Sequence, residues 1–370
     1  MAEYSYFLFE NFDADQEAPN PGNPRRILGT PTDDLITFVA GFPAGTCSCA
    51  ACEECFGAAQ TQQLIRCGVL RTLGDTLFFD APIFLRADAS ILESEILDAA
   101  TVLFRKLEPL IPGLYALCRK IGNSFSEEEN LYHLLCGMVF DGDFFSCLEA
   151  RGAVATGRIH PGGLDYLTVI YETCPELESY ANGLLCSYNR FMGNGIALQS
   201  FGDAAGDRLD LYRFSRLVET GKLPETFQPV LPLWNRLAGG KESLLEQVRQ
   251  LTQQGTCTQE ALEILTAFGY ARDGHICVPV YEACHREILR EMTALVDDRL
   301  GKAFSDTLFR LSSHTDITAV RHGIPAGEIA NELYHLLFGT VNEILVRQGY
   351  AARPDFIPGQ GRYLRSIQLW

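Results

Sequence analysis

Leu131-Tyr132-His133-Leu134-Leu135 returns in the same chain as Leu333-Tyr334-His335-Leu336-Leu337, and each copy meets a glycine two residues on, Gly137 and Gly339. A second glycine follows, Gly152 in one copy and Gly349 in the other. From there the spacing agrees residue for residue: Pro161-Gly162 with Pro358-Gly359, Tyr166-Leu167 with Tyr363-Leu364, Ile170 with Ile367. Internal repetition outranks local propensity, because a repeated stretch must be placed twice by one architecture.

The duplication extends upstream. Gly45-Thr46-Cys47 recurs as Gly255-Thr256-Cys257, and Gly68-Val69 as Gly269-Tyr270. Before the second anchor, Leu244, Leu245, Val248 and Leu251 fall on one helical face. Gly74-Asp75 and Asp273-Gly274 are hairpin-reversing pairs, since glycine tolerates positive φ. Leu77-Phe78-Phe79 and His275-Ile276-Cys277 then read as strands leading into Pro82-Ile83-Phe84 and Pro279-Val280-Tyr281. Gly45 to Gly68 is nine residues longer than Gly255 to Gly269. At about 3.6 residues per turn, the second copy therefore lacks most of a helix.

The predicted fold class is mainly α with small β-hairpins (α+β). It comprises an N-terminal extension (1–29), a first repeat unit (30–172), an ordered connecting segment (173–239) and a second repeat unit (240–370). Leu184, Leu185, Phe191, Phe201 and Trp234 predict that the connecting segment is packed. Gly193-Asn194-Gly195 and Gly206-Asp207 supply its turns, and Gly221 with Pro224 closes a helix through Leu211, Phe214, Leu217 and Val218. The apolar C-terminus, through Trp370, is expected to be docked.

The order of a helix pair, a glycine and a hairpin resembles a winged helix-turn-helix domain over about residues 30–86 and 242–282. That resemblance implies a regulator with degenerate winged helices, each module being followed by a helical subdomain. It also implies where DNA would be read: Gln62, Gln63 and Arg66 on the helix before the first hairpin, with Gln60 and Thr61 beside them, and Arg71 in the wing. Glutamine and arginine can read base edges. The matching helix of the second unit offers Glu260 and Glu263, the wrong sign for phosphate.

Charge points the same way. The chain carries −17 at pH 7, with the acidity heavier in 30–172 than in 240–370. Such a field opposes phosphate backbones. With no apolar run of about 18 residues and no secretory signal at Glu3, Glu10, Asp13 and Asp15, a cytoplasmic protein with no membrane partner is expected. Thirteen cysteines, an odd number, read as reduced, with Cys118, Cys136, Cys147, Cys186 and Cys277 as small hydrophobes.

Cys47, Cys49, Cys52 and Cys55 are the sharpest candidate for chemistry. One short helix cannot wrap four thiolates around an ion, so the reading is a buried stripe at Cys49, Cys52 and Cys55, with no metal and no cofactor. Glu332-Leu333-Tyr334-His335 matches half of a di-iron helix motif, but the position matching Glu332 is Asn130. Cys284-His285 are sequence neighbours and diverge on a helix. Arg208, Arg213 and Arg216 form a basic island that could hold an anion, or neutralise Asp203, Asp207 and Asp210.

No hydrolase elbow, P-loop or dinucleotide fingerprint is present, so an enzyme is unsupported. The expectation is a non-enzymatic regulatory or scaffolding protein that contacts a protein partner or itself. A DNA-binding transcription regulator is the first alternative. An enzyme or small-molecule sensor with a pocket between the two units is the second.

Overall fold

The computed structural model describes residues 2–10, 24–155, 158–159, 165–204, 208–220, 223–237 and 239–370. Pro161-Gly162, Gly206-Asp207 and Gly221 therefore lie outside the described residues. The protein is mixed α and β, mostly helical with small sheets.

Along the chain, strand β1 (Tyr4–Glu10) precedes helix α1 (Thr30–Ala40), β2 (Cys47–Ser48), α2 (Cys49–Phe56) and α3 (Ala58–Arg66). A hairpin of β3 (Leu70–Leu73) and β4 (Thr76–Phe79) leads to β5 (Ile83–Phe84) and the long α4 (Ala89–Leu107). Next come the helical run α5 (Glu127–Ala150), kinked at Asp141, then β6 (Arg158–Ile159) and β7 (Asp165–Glu172). The connecting segment supplies β8 (Leu185–Gly193), β9 (Ile196–Asp203) and a helix at Leu211–Thr220. The second half brings α6 (Gly240–Gln254), α7 (Gln259–Ala267), β10 (Ala271–Arg272), β11 (His275–Ile276) and β12 (Val280–Glu282). It closes with α8 (Arg286–Leu311), α9 (Ala326–Arg347), β13 (Phe356–Ile357) and β14 (Gly361–Leu369).

The chain folds into two compact units, each drawing on both halves of the sequence. One gathers Met1–Leu103, Phe145–Ala181 and Leu300–Leu337; the other gathers Phe104–Phe144, Asn182–Arg299 and Phe338–Trp370.

In the first unit, β7 is central. It pairs antiparallel with β1 and parallel with β5, with Ile83 opposite Ile170. A second sheet, ordered β2-β4-β3, packs on α2 and α3, which in turn meet α1. In the second unit, β14 is central. It pairs antiparallel with β9 and parallel with β12, with Val280 opposite Ile367. The repeated residues thus make the same bonds. Ile170 N–H donates to Pro82 O at 2.9 Å, and Ile367 N–H to Pro279 O at 2.8 Å. Around each hairpin, Asp80 N–H donates to Val69 O at 2.8 Å and Cys277 N–H to Tyr270 O at 3.0 Å. Gly68 and Gly269 end the preceding helices at φ 70° and 72°, a conformation that favours glycine.

From Thr30 three helices lead to the first hairpin, and from Gly240 two lead to the second, in keeping with the nine-residue difference. Leu184, Leu185, Phe191 and Phe201 are buried, and Trp234 meets Phe191 and Phe214 edge-on. Trp370 N–H donates to Gly195 O at 2.7 Å, which docks the C-terminus.

Both glycines that follow the repeated pentapeptide allow close approach. A Cβ on Gly137 would stand 3.3 Å from Phe201, and one on Gly339 would stand 3.0 Å from Cys186. The two helices nonetheless differ. Leu131 to Gly152 is five residues longer than Leu333 to Gly349, and Tyr132–Asp143 is wound as a π-helix. By length and hydropathy α5 could cross a membrane, but 67% of that window is buried inside the protein, as in a core helix.

Candidate functional site

The helix–hairpin module of the first unit carries the residues Gln62, Gln63, Arg66 and Arg71. Ser48 caps α2 by accepting Ala51 N–H at 3.0 Å. Gly57, at φ 85°, turns the chain into α3. Thr61 and Leu64 face inward and are fully buried, and Thr61 Oγ1 donates to Cys52 Sγ at 3.7 Å. That anchoring leaves Gln62, Gln63 and Arg66 exposed on the outer face of α3. Gln60 is turned back, its amide donating to Pro31 O.

Arg71 is committed elsewhere. Its guanidinium donates to His322 O at 2.8 Å, lies 4.9 Å over the Phe78 ring and pairs with Asp80 at 3.5 Å. His322 in turn accepts Phe79 N–H on Nδ1 at 3.2 Å. Burial, then the charges of Arg321 and Arg71, lower its pKa to about 4. The hairpin tip carries Leu73, 67% exposed, and the exposed Asp75. In the second unit Glu260 is exposed, while Glu263 accepts from Arg236 at 3.1 Å and from Gln259 at 3.1 Å.

The thiols do not converge. All thirteen cysteines are free. Cys47 is buried in β2 and Cys52 in α2, while Cys49 is half-buried and Cys55 exposed. The predicted buried stripe therefore reduces to Cys52. A step of three residues rotates by about 300°, a drift of about 60° per step, so Cys49 and Cys55 fall to either side of the buried Cys52. Burial, then neighbouring thiols, pushes Cys47 up to about 11. Among the described residues, no group of three or more His, Cys, Asp or Glu side chains could hold a metal ion.

The basic island is turned inward. Arg208 is fully buried, donates to Ser187 O at 3.0 Å and pairs with Asp210 at 3.5 Å. Arg213 reaches Asp210 at 3.7 Å and Ala204 O at 3.1 Å. Arg216 is buried and donates to Tyr212 Oη at 3.2 Å. Asp203 is held instead by Arg362, at 2.7 Å, and Asp207 lies outside the described residues.

Sequence reading missed a buried polar cluster under the first unit's sheet. Tyr171 Oη–H donates to Glu332 Oε1 at 2.6 Å, and His335 Nδ1 is bonded to Asn331 O at 2.8 Å. Phe9 stacks on His335 at 4.5 Å. Burial raises the Glu332 pKa against the opposing pull of His335 and Tyr171. In the second unit Tyr281 Oη–H donates to Asn130 Oδ1 at 3.1 Å, so Asn130 takes the bonding place of Glu332 without its charge. The helical spacing of Glu332 and His335 was visible, but their enclosure by β1 and β7 was not. The second unit also holds a cleft of about 570 Å³, lined by Phe125, Leu251, Ile276, Val278, His275 and His285.

Compared with known protein families, curated proteins and solved structures, the chain matches none.

Proposed function

We propose that the chain is a non-enzymatic regulatory or scaffolding protein whose two halves are duplicated winged-helix-like modules adapted to protein contacts. The duplication is supported by the shared pairing of Pro82 with Ile170 and of Pro279 with Ile367. The internal commitment of Arg71 carries the functional reading. A wing that serves DNA offers its cation to a phosphate; this one spends it on His322 and Asp80 and presents Leu73 and Asp75 instead. A leucine beside a carboxylate at a loop tip suits a protein surface better than a polyanion.

One observation favours DNA as a second reading: Gln62, Gln63 and Arg66 are all exposed on α3. An anisotropy titration with mixed-sequence duplex DNA at about 150 mM salt, the physiological range, separates the two. Counterion release needs clustered cations, and with Arg66 alone no saturable binding is expected. Saturable binding that weakens on Arg66→Ala or Gln62→Ala would establish the DNA reading. A photo-crosslinker at Leu73 in cells should give a discrete protein adduct, absent when it stands at the exposed Lys106.

A further inference from the structure

Each hairpin faces the short segment that precedes a pentapeptide helix, and the junction is closed by bonds in one unit and open in the other. In the first unit the segment is Thr318–Gly323. Phe79 N–H donates to His322 Nδ1 at 3.2 Å, and Arg71 donates to His322 O at 2.8 Å. Thr318 gives its N–H to Asp88 Oδ1 at 2.8 Å and its hydroxyl at 2.9 Å. The His322 ring stands edge-on to Phe79 at 4.9 Å.

The repeat fixes what stands at the same places in the second unit. Counted from Pro82 and Pro279, Phe79 matches Ile276 and Asp88 matches His285. The second match is repeated in bonds: Leu85 N–H donates to Asp88 Oδ2 at 2.7 Å, and Glu282 N–H to His285 Nδ1 at 2.9 Å. Gly323 and Gly122 share φ 69°, which sets Ile121 in the place of His322. The hairpin registers match Arg71 with Arg272, and Arg272 is exposed. Among the described residues, none of the three contacts has a counterpart. In their place lies the cleft of about 570 Å³, with Ile121, Ile276 and His285 in its wall.

Two donors are left over there. Asp80 N–H and Cys277 N–H bond across their hairpins, so the amide before each points outward. In the first unit that amide is Phe79, and His322 receives it. In the second it is Ile276, which meets no acceptor among the described residues. His285 accepts on Nδ1, so its neutral ring carries the proton on Nε2, a donor equally unmet. Phe125, Leu251 and Val278 make the remaining wall apolar, and no Lys or Arg lines the cleft whereas Glu282 does. An anion is therefore disfavoured.

We infer that this cleft binds a small, uncharged, planar nitrogen heterocycle. Its ring nitrogen accepts Ile276 N–H as the imidazole of His322 accepts Phe79 N–H, and His285 Nε2–H donates to a second acceptor. The other unit indicates the occupant, because there the chain itself supplies an aromatic nitrogen to the same backbone donor. The volume lies within the ~300–1,000 Å³ usual for small-molecule sites. A peptide histidine is the poorer fit, since the peptide's own amides would go unpaired against apolar walls. This site goes beyond the protein-contact reading and does not depend on it.

The test uses the full chain and N-phenylimidazole at about pH 8, above the ordinary imidazole pKa near 6.5. Calorimetry should show saturable binding, and the amide resonance of Ile276 in isoleucine-labelled protein should move downfield. N-phenylpyrrole, the same shape without the acceptor nitrogen, should bind about tenfold more weakly, as for one net hydrogen bond. Ile121→His supplies the imidazole from the chain and should abolish binding. If that variant misfolds, Thr252→Trp, which fills the cleft from a half-buried position on α6, should abolish it instead. No saturation up to the order of 1 mM, equal binding of the two probes, or undiminished binding to the folded variants overturns the inference. So does tighter binding of an end-blocked Gly-His-Gly peptide, which would make the occupant a peptide histidine.

Discussion

His133 is where the energetics of a single residue can be read most directly. Its ring is buried beside Tyr132 and Tyr281, and burial lowers its pKa to about 3. An exposed histidine in the unfolded chain titrates near 6.5, as model values give. As pH falls through that value the unfolded state takes up a proton that the folded state refuses, so stability is lost from about pH 6.5 downward. Between pH 7.5 and 5 the loss is about 2 kcal/mol for one such group. His322, at about 4, adds to the same slope. Burial raises Glu332 and Asp88, so they take up protons in the folded state and oppose the slope. Unfolding at the two pH values should show His133→Gln with a drop smaller by about 2 kcal/mol than the parent; an unchanged drop would rule out buried, neutral His133. Residue-scale legibility was uneven. The histidine recurs with its pentapeptide, so its structural role was readable. The commitment of Arg71 was not, because His322 lies 251 residues away and no local pattern encodes that contact.

At the scale of elements, the pairing of β9 with β14 depends on a missing side chain. A Cβ on Gly202 would lie 2.0 Å from Arg362 O and 2.6 Å from Tyr363 Cα, both backbone atoms that cannot turn aside. Gly202→Ala should therefore cost about 3 kcal/mol or more, at the upper end of overpacking penalties. Gly142→Ala, where the added carbon meets nothing within 4 Å, should leave Tm unchanged or raised, because alanine favours helix. Equal losses in the two variants would show that the strand approach is not the constraint. The hairpins were legible because glycine and proline recur at fixed spacing, whereas the parallel pairings of β5 with β7 and of β12 with β14 were not, although Ile170 and Ile367 recur. The kinship of β1 and β9 was not. Their sequences, Tyr-Ser-Tyr-Phe-Leu-Phe-Glu and Ile-Ala-Leu-Gln-Ser-Phe-Gly, share Phe9 with Phe201 and little else. β9 is buried on both faces, so it lacks the alternation that marks a half-exposed strand. Residues 4–10 thus read as an extension and 196–203 as connection, although both flank a central strand.

The whole molecule is divided in a way that its repeats conceal. Of the five borders between the compact units, four fall inside α4, α5, α8 and α9, near residues 103, 144, 299 and 337, and the fifth follows Ala181. Each unit therefore takes its central strand from one half of the sequence and a pentapeptide helix from the other: β7 with Leu333–Leu337, β14 with Leu131–Leu135. Sequence can reveal that a segment occurs twice, but not which copy packs with which strand, because the two copies are interchangeable by composition. A consequence follows for dissection. Cutting near residue 183 would leave 1–183 without the helix bearing Tyr334, whose burial and that of Glu332 and His335 complete the first sheet's core. It would likewise strip 184–370 of Tyr132 and Phe140. Exposing fully buried aromatics, each worth about 3–5 kcal/mol when removed from a core, is comparable with the ~5–15 kcal/mol net stability of a typical domain. Neither fragment should fold alone. Each should show weak near-ultraviolet dichroism and non-cooperative urea unfolding, and the two co-expressed should recover a cooperative transition. A cooperatively folded 1–183 on its own would mean that the repeat, rather than the exchanged unit, is the folding unit of this chain.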